Sequence, residues 1–245
     1  MNRQLIKKYL PRSARSWLLD RYRRNQPGYY PRRSWSQAGE DLLLLDLLEL
    51  ASDRGFYVDV GAFHPRFGSN TYALYRRGWR GINIDARPGS MAQFRRDRPR
   101  DTNLEFGVGT NVARSEFFEF VEDELSTLDE ERASALIGTG HVLLRKIEID
   151  LRPLANVLTD FHVSPNFELL SVDCEGRDLD VLRSNDWRRF RPKTIIAECA
   201  DGDLHEGLHS PVAELLRLEG YFPVAATRLN LIFRHASASK ESPDP

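Results

Sequence analysis

The chain lacks the features that mark several large classes of protein. Only two of its 245 residues are cysteine, Cys174 and Cys199, so no disulfide framework is expected and a reducing compartment suits it. No apolar run approaches the ~20 residues of a membrane span. The N-terminus shows no secretory core, because Lys7, Lys8, Pro11 and Arg12 interrupt its apolar residues. Net charge is only −1, which argues against a global pull toward nucleic acid or acidic partners. Glycine-rich phosphate loops are absent too. A dinucleotide fold needs G-x-G-x-x-G after its first strand, whereas the chain reads "GAFHPR" from Gly61. His141, His162, His205, His209 and His235 lack metal-ligand spacing, and "HEGLH" does not match H-E-x-x-H.

What is present suits one large domain. At 41% hydrophobic and 29% charged residues, the chain can fill a core and stay soluble. Residues 1–33 are rich in Arg and Lys and form a basic, amphipathic N-terminal arm, expected to pack on the domain or to rest on an anionic membrane surface. A domain follows over 34–235, with an insertion at about 110–145, and residues 236–245 make a small, polar tail expected to be disordered. Helical and strand patterns alternate from Ser36 onward. Strands are expected at 56–60, 81–84, 104–108, 115–121, 146–151, 167–172 and 194–197, with an antiparallel pair at 222–226 and 229–233. Helices are expected at 39–50, 70–77, 89–96, 125–136, 153–161, 179–183 and 212–219. This order predicts an α/β fold, a mostly parallel sheet with helices on both faces.

Four strands share one peculiarity. "FYVDV", "GINID", "FELLSVD" and "TIIAE" are nearly all apolar until an acid appears at or near the carboxyl end. Parallel strands buried on both faces look like this, and such sheets bind ligands at their carboxyl ends. Asp59, Asp85, Asp173 and Glu198 are therefore expected along one rim. A ligand that welcomes carboxylates carries a cationic amine and a ribose diol. Asp59 can pair with an ammonium, Gly61 allows close backbone approach, and Asp85 can accept ribose hydroxyls. S-adenosylmethionine has these groups and a positively charged sulfonium besides.

The ordered segments "SQAGED", "FYVDVGAFHPRFGSNTY", "RGWRGINIDARPGS", "LSTL" and "LLSVDCEGRDLDVL" resemble the FkbM family of methyltransferases. The resemblance implies a Rossmann-like class I methyltransferase fold: a seven-stranded, mostly parallel sheet with its last strand antiparallel. It also implies O-methylation of a sugar or polyketide hydroxyl. By the same resemblance Asp59 and Gly61 hold the methionine part of the cofactor, Asp85 the ribose, and Ala86 and Val108 the adenine. Gln37 and Glu40 would close over it. Phe63 and Cys174 depart from the family pattern, which commonly has histidine and valine there.

Methyl transfer to an alcohol needs an aligned nucleophile and a group that takes its proton. Asp173 and Glu175 would point to one side of an extended strand end, and the Glu198 strand would lie alongside. Carboxylates that crowd raise a pKa or recruit a cation. The site is thus either a general base or a Mg²⁺ site formed by Asp173, Glu175 and Glu198. His64 is a further candidate base, and Ser126 and Thr127 are candidate acceptor contacts. The expected acceptor is a sugar hydroxyl, free or on a lipid-linked or surface glycan, and nucleic acid is not an expected partner. A polyketide acceptor, or a non-catalytic cofactor-binding protein, are the alternatives. The expected location is cytoplasmic, peripheral to the inner membrane face if the arm binds lipid. The sequence does not assign an oligomeric state.

Overall fold

The computed structural model describes residues 33–48, 54–199 and 203–236. Apart from Arg33 and Ala236, the expected arm and tail lie outside the described residues. The described chain opens with helix α1 (Glu40–Leu47), strand β1 (Phe56–Val60), α2 (Tyr72–Arg76), β2 (Arg80–Asp85), α3 (Ser90–Asp97) and β3 (Thr102–Glu105). It continues with β4 (Gly107–Val108), β5 (Ala113–Phe120), a 3₁₀ turn (Asp123–Leu125), α4 (Glu130–Gly138), β6 (Leu143–Arg152) and α5 (Leu154–Asp160). It closes with β7 (Leu169–Val172), α6 (Asp178–Arg183), β8 (Thr194–Glu198), α7 (Leu204–Leu208), α8 (Pro211–Leu218), β9 (Tyr221–Ala226) and β10 (Asn230–His235).

Seven strands form the main sheet in the order β3-β2-β1-β7-β8-β10-β9. Six point the same way; β10 alone is reversed and pairs antiparallel with both β8 and β9. The apolar strands are buried on both faces, and their alternation sorts residues between two cores. Val58, Ile82, Ile84, Leu170, Val172 and Ile195 pack with Leu154, Leu158 and Leu182 of the helices on one face. Tyr57, Leu169, Ile196 and Ile232 pack with Leu44 and Leu74 on the other. The expected seven-stranded, mostly parallel sheet is therefore what these sequences build.

One expected strand divides. Residues 104–108 do not form a single strand: β3 belongs to the main sheet, whereas β4 pairs with β6 in a second sheet of order β4-β6-β5. Phe106 lies between them and is buried in the main core. Gly107 follows, where a Cβ would lie 2.5 Å from the Leu151 side chain, so the strand change depends on a residue without one. The expected helix at 125–136 also shifts, to a 3₁₀ turn and then α4, whose start is capped by Asp129 accepting from Arg132 N. Phe118, Phe120 and Ala133 give this region its own small core.

Candidate active site

The four acid-ending strands meet as expected. Asp59 lies in β1, Asp85 ends β2, Asp173 follows β7 and Glu198 ends β8. Strand order reverses between β1 and β7, and ligands of open parallel sheets bind in the crevice above such a reversal. Here the two loops nearly touch. Asp173 N donates to Val60 O at 3.0 Å. Gly61 has φ 78°, and a Cβ there would stand 1.7 Å from the Asp173 carbonyl oxygen. Only glycine satisfies both conditions at once.

A cleft of about 950 Å³, counting the open space at its mouth, lies over this junction. Asp59, Gly61, Asp85, Ala86, Val108 and Gln37 line it, as do Asp173 and Glu175. Asp59 is 4% exposed. Burial pushes its carboxyl above its ordinary value, while Thr71, Arg98 and Ser171 pull it back. The Thr71 hydroxyl donates to Asp59 Oδ2 at 2.6 Å and accepts from Arg98 Nη1 at 2.8 Å. Arg98 is fully buried and also donates to Pro65 O, Asn83 Oδ1 and Ser69 Oγ. Asp85 accepts from Phe63 N at 2.8 Å and Arg87 N at 2.9 Å, one bond to each oxygen. Burial raises its carboxyl too, and those two amides lead the opposition. Ala86, Phe106, Val108 and Phe117 form an apolar stretch of the same wall.

A second cavity adjoins the first, and Gln37, Glu124, Asp173 and Glu175 line both. Glu198, Arg132, Arg228 and Asn230 belong to the second alone, and only Leu125 and Leu229 are apolar among its lining. The carboxylates here oppose one another. Burial first, then Glu198, Asp178 and Glu175, holds Asp173 well above the ordinary carboxyl range. Glu175 forms an ion pair with Arg132, yet burial and the charge of Glu198 outweigh that cation and leave its pKa raised to about 7. Asp178, which accepts from Cys174 N at 3.3 Å, is likewise raised to about 7 by burial and by Glu198.

The description Methyltransferase FkbM domain matches residues 59–230. The chain belongs to the FkbM methyltransferase family. No curated protein matches its sequence. Solved structures similar to it include the precorrin-6y C5,15-methyltransferase of Geobacter metallireducens GS-15, at 11% identity over 84% of this chain and 93% of that one, TM-score 0.44. A TehB-like SAM-dependent methyltransferase of Corynebacterium glutamicum is 11% identical over 96% and 100% of the two chains, TM-score 0.38. A human methyltransferase 10 domain containing protein is 12% identical over 90% and 94%, TM-score 0.38.

Family membership implies S-adenosylmethionine as the methyl donor of this methyltransferase, and the first cavity fits that group. It offers close backbone approach at Gly61, buried carboxylates at Asp59 and Asp85, and an apolar wall for an adenine ring. Mg²⁺ finds no such support. Among the described residues no three His, Cys, Asp or Glu side chains are arranged to hold a metal. Of the expected ligands Asp173, Glu175 and Glu198, Glu175 has turned its carboxylate to Arg132. This corrects the metal expectation.

Two other expected site residues lie outside both cavities. His64 lines neither cavity. Its Nδ1 accepts from Arg66 N and Phe67 N, each at 3.0 Å, and its Nε2 lies 2.7 Å from Gln93 Nε2. Both ring nitrogens are engaged within this loop and by Gln93, away from the two cavities. Glu40 lines neither cavity either. It is 1% exposed and accepts from Ala38 N, Thr227 Oγ1 and Asn230 Nδ2, which ties α1 to the β9–β10 hairpin. Ser126 and Thr127 do line the first cavity. Arg98, Arg132, Asp178, Arg228 and Asn230 were not anticipated; an acid in the first turn of α6 was the only visible cue to Asp178.

Proposed function

We propose that this methyltransferase methylates a hydroxyl group of a sugar. The observation that carries the reading is the shared wall: Asp173 and Glu175 line both cavities, the first suited to the donor and the second, polar one to the acceptor. Bound S-adenosylmethionine supplies an electrophilic methyl group on a sulfonium. Asp59 and Gly61 hold its amino-acid end, Asp85 its ribose, and Ala86 and Val108 its adenine. Glu175 Oε2 is engaged by Arg132, so Oε1 accepts the acceptor's hydroxyl proton. A base is most effective when its pKa lies near the working pH, and about 7 for Glu175 meets that condition. Asp173, whose protonated form is favoured by burial and by its neighbours, donates to a second acceptor oxygen and orients it.

The polar lining favours a sugar over a polyketide, whose hydrocarbon would have only Leu125 and Leu229 to meet and would desolvate charges elsewhere. The crowding of carboxylates, costly to stability, favours an enzyme over a cofactor-binding partner protein. The test is methyl transfer from labelled S-adenosylmethionine to a panel of methyl glycosides. Glu175→Gln should lower kcat by about 10²–10⁴-fold while calorimetry finds unchanged affinity for S-adenosylhomocysteine. Full activity in that variant removes the assignment of the base, and a wild type that methylates no glycoside removes the acceptor class.

A further inference from the structure

Asn230 opens β10 directly opposite Glu198 of β8, in the wall of the second cavity. It is 4% exposed. Its Nδ2 donates to Glu40 Oε1 at 3.4 Å, whereas its Oδ1 meets no donor among the described residues. The direction of this amide is chemically fixed. Burial works against a charge on Glu40, but donations from Ala38 N and the Thr227 hydroxyl outweigh it and hold Glu40 below the ordinary carboxyl range. An ionised carboxylate only accepts. Asn230 must turn its NH₂ toward Glu40 and leave its carbonyl as the unsatisfied group. A buried carbonyl without a donor costs about 1–3 kcal/mol, and buried polar groups of this kind call for an explanation.

The same cavity holds the complement. Arg132, whose guanidinium pairs with Glu175, has a buried Nε with no acceptor among the described residues. An unmet acceptor and an unmet donor in one pocket suit a ligand whose groups both give and take hydrogen bonds, as hydroxyls do. We propose that Asn230, oriented by Glu40, is a specificity-determining residue that reads a hydroxyl of the acceptor through its carbonyl, with Arg132 Nε donating to another acceptor oxygen. Glu40 is then a positioning residue: it acts on the acceptor through Asn230. The inference rests on the sugar reading above and adds to it which residues select the sugar.

The experiment compares wild type, Asn230→Ala and Glu40→Gln on the best methyl glycoside of the panel and on its monodeoxy analogues. Asn230→Ala should raise KM about tenfold, the loss of one hydrogen bond, with a smaller change in kcat and unchanged S-adenosylhomocysteine affinity. One monodeoxy analogue, poor for wild type, should be no worse than the parent sugar for Asn230→Ala. Glu40→Gln can donate to the Asn230 carbonyl and turn the amide over, so it should lose the same discrimination while binding S-adenosylhomocysteine normally. If wild type methylates a glycoside and Asn230→Ala keeps both its KM and its discrimination, the inference alone is overturned. If wild type binds S-adenosylhomocysteine but methylates no glycoside, the sugar reading falls and the inference with it.

Discussion

The two halves of the carboxylate rim are built from the same sequence signal and differ in what surrounds each buried acid. In the β1–β2 half, each buried acid has its own donors: Thr71 for Asp59, with Arg98 behind it, and two backbone amides for Asp85. In the β7–β8 half, burial and the charge of Glu198 raise the pKa values of Asp173, Glu175 and Asp178, and Arg132 opposes only part of the effect on Glu175. Acids supplied with donors make fixed acceptors, suited to gripping a ligand. Acids that face one another sit near their titration point, suited to moving a proton. Burial is common to both halves; the second neighbour of each carboxylate decides its chemistry.

The junction of the halves is the most sensitive place to disturb them. Gly61→Val must displace the Asp173 carbonyl, which a Cβ would approach to 1.7 Å, and must hold a β-branched residue at φ 78°. Overpacking of this kind typically costs about 1–3 kcal/mol, and a misplacement of about 1 Å at a site can cost about 10²-fold in rate. Loss of both S-adenosylhomocysteine binding and turnover is expected. A variant that keeps either would show that the halves do not depend on this contact.

Removing one cation from each half sharpens the contrast. Arg98→Leu leaves Asp59 charged and buried, and strips donors from Ser69, Thr71 and Asn83. Each acceptor left buried without its donor costs about 1–3 kcal/mol, so the loss should be readable as a clearly lowered urea midpoint. Arg132→Leu should cost less, because Glu175 can take a proton in place of its lost partner. Its signature should instead be kinetic. Arg132 holds the Glu175 pKa down, so its loss should move the acidic limb of the pH–rate profile to higher pH. Equal destabilisation by the two variants would erase the distinction drawn here.

Stability against pH carries the same contrast, more weakly. Glu175 and Asp178 rise from 4.5 and 3.8 to about 7 on folding. The folded chain then binds more protons than the unfolded chain between about pH 4 and pH 7, so stability falls as pH rises through that window. The expected loss is on the order of 2 kcal/mol, below the naive sum because the groups share their repulsion. Glu175→Gln and Asp178→Asn should each flatten the decline in urea titrations at pH 5 and pH 8. Asp85→Asn changes a carboxylate whose two donors partly offset its burial and should flatten it less.

The sequence exposes the first half of this arrangement more fully than the second. A parallel strand buried on both faces reads as an apolar run, and an acid closing it stands out, so Asp59, Asp85, Asp173 and Glu198 were all visible. Arg132, Arg228 and Asn230 were not, because tertiary structure alone brings the segment between β5 and β6 and the β9–β10 hairpin to one cavity. Residues 104–108 looked like one strand since apolar pattern does not mark a change of sheet. His64 and Glu40 are polar residues close in sequence to residues that line the first cavity. Their side chains proved to be satisfied by local backbone and by the hairpin, which spacing cannot reveal.

The smallest effect tests whether the second sheet's connection helps close the donor half. Arg87, next to the amide-bonded end of β2, forms an ion pair with Asp123 of the 3₁₀ turn, and both line the first cavity. Arg87 also lies over the Phe63 ring, its guanidinium carbon 5.3 Å from the centroid, and donates to Phe63 O at 3.3 Å. The Asp123 side chain is 53% exposed, so the pair should add little stability, within about 1 kcal/mol. Asp123→Ala should therefore leave the urea midpoint nearly unchanged. If the pair latches the cavity mouth, S-adenosylhomocysteine should dissociate a few-fold faster from the variant, and added salt should produce the same acceleration in wild type but not in Asp123→Ala. Identical dissociation rates at low salt would confine the donor grip to the carboxylates and Gly61, and would assign the 3₁₀ turn to the acceptor side alone.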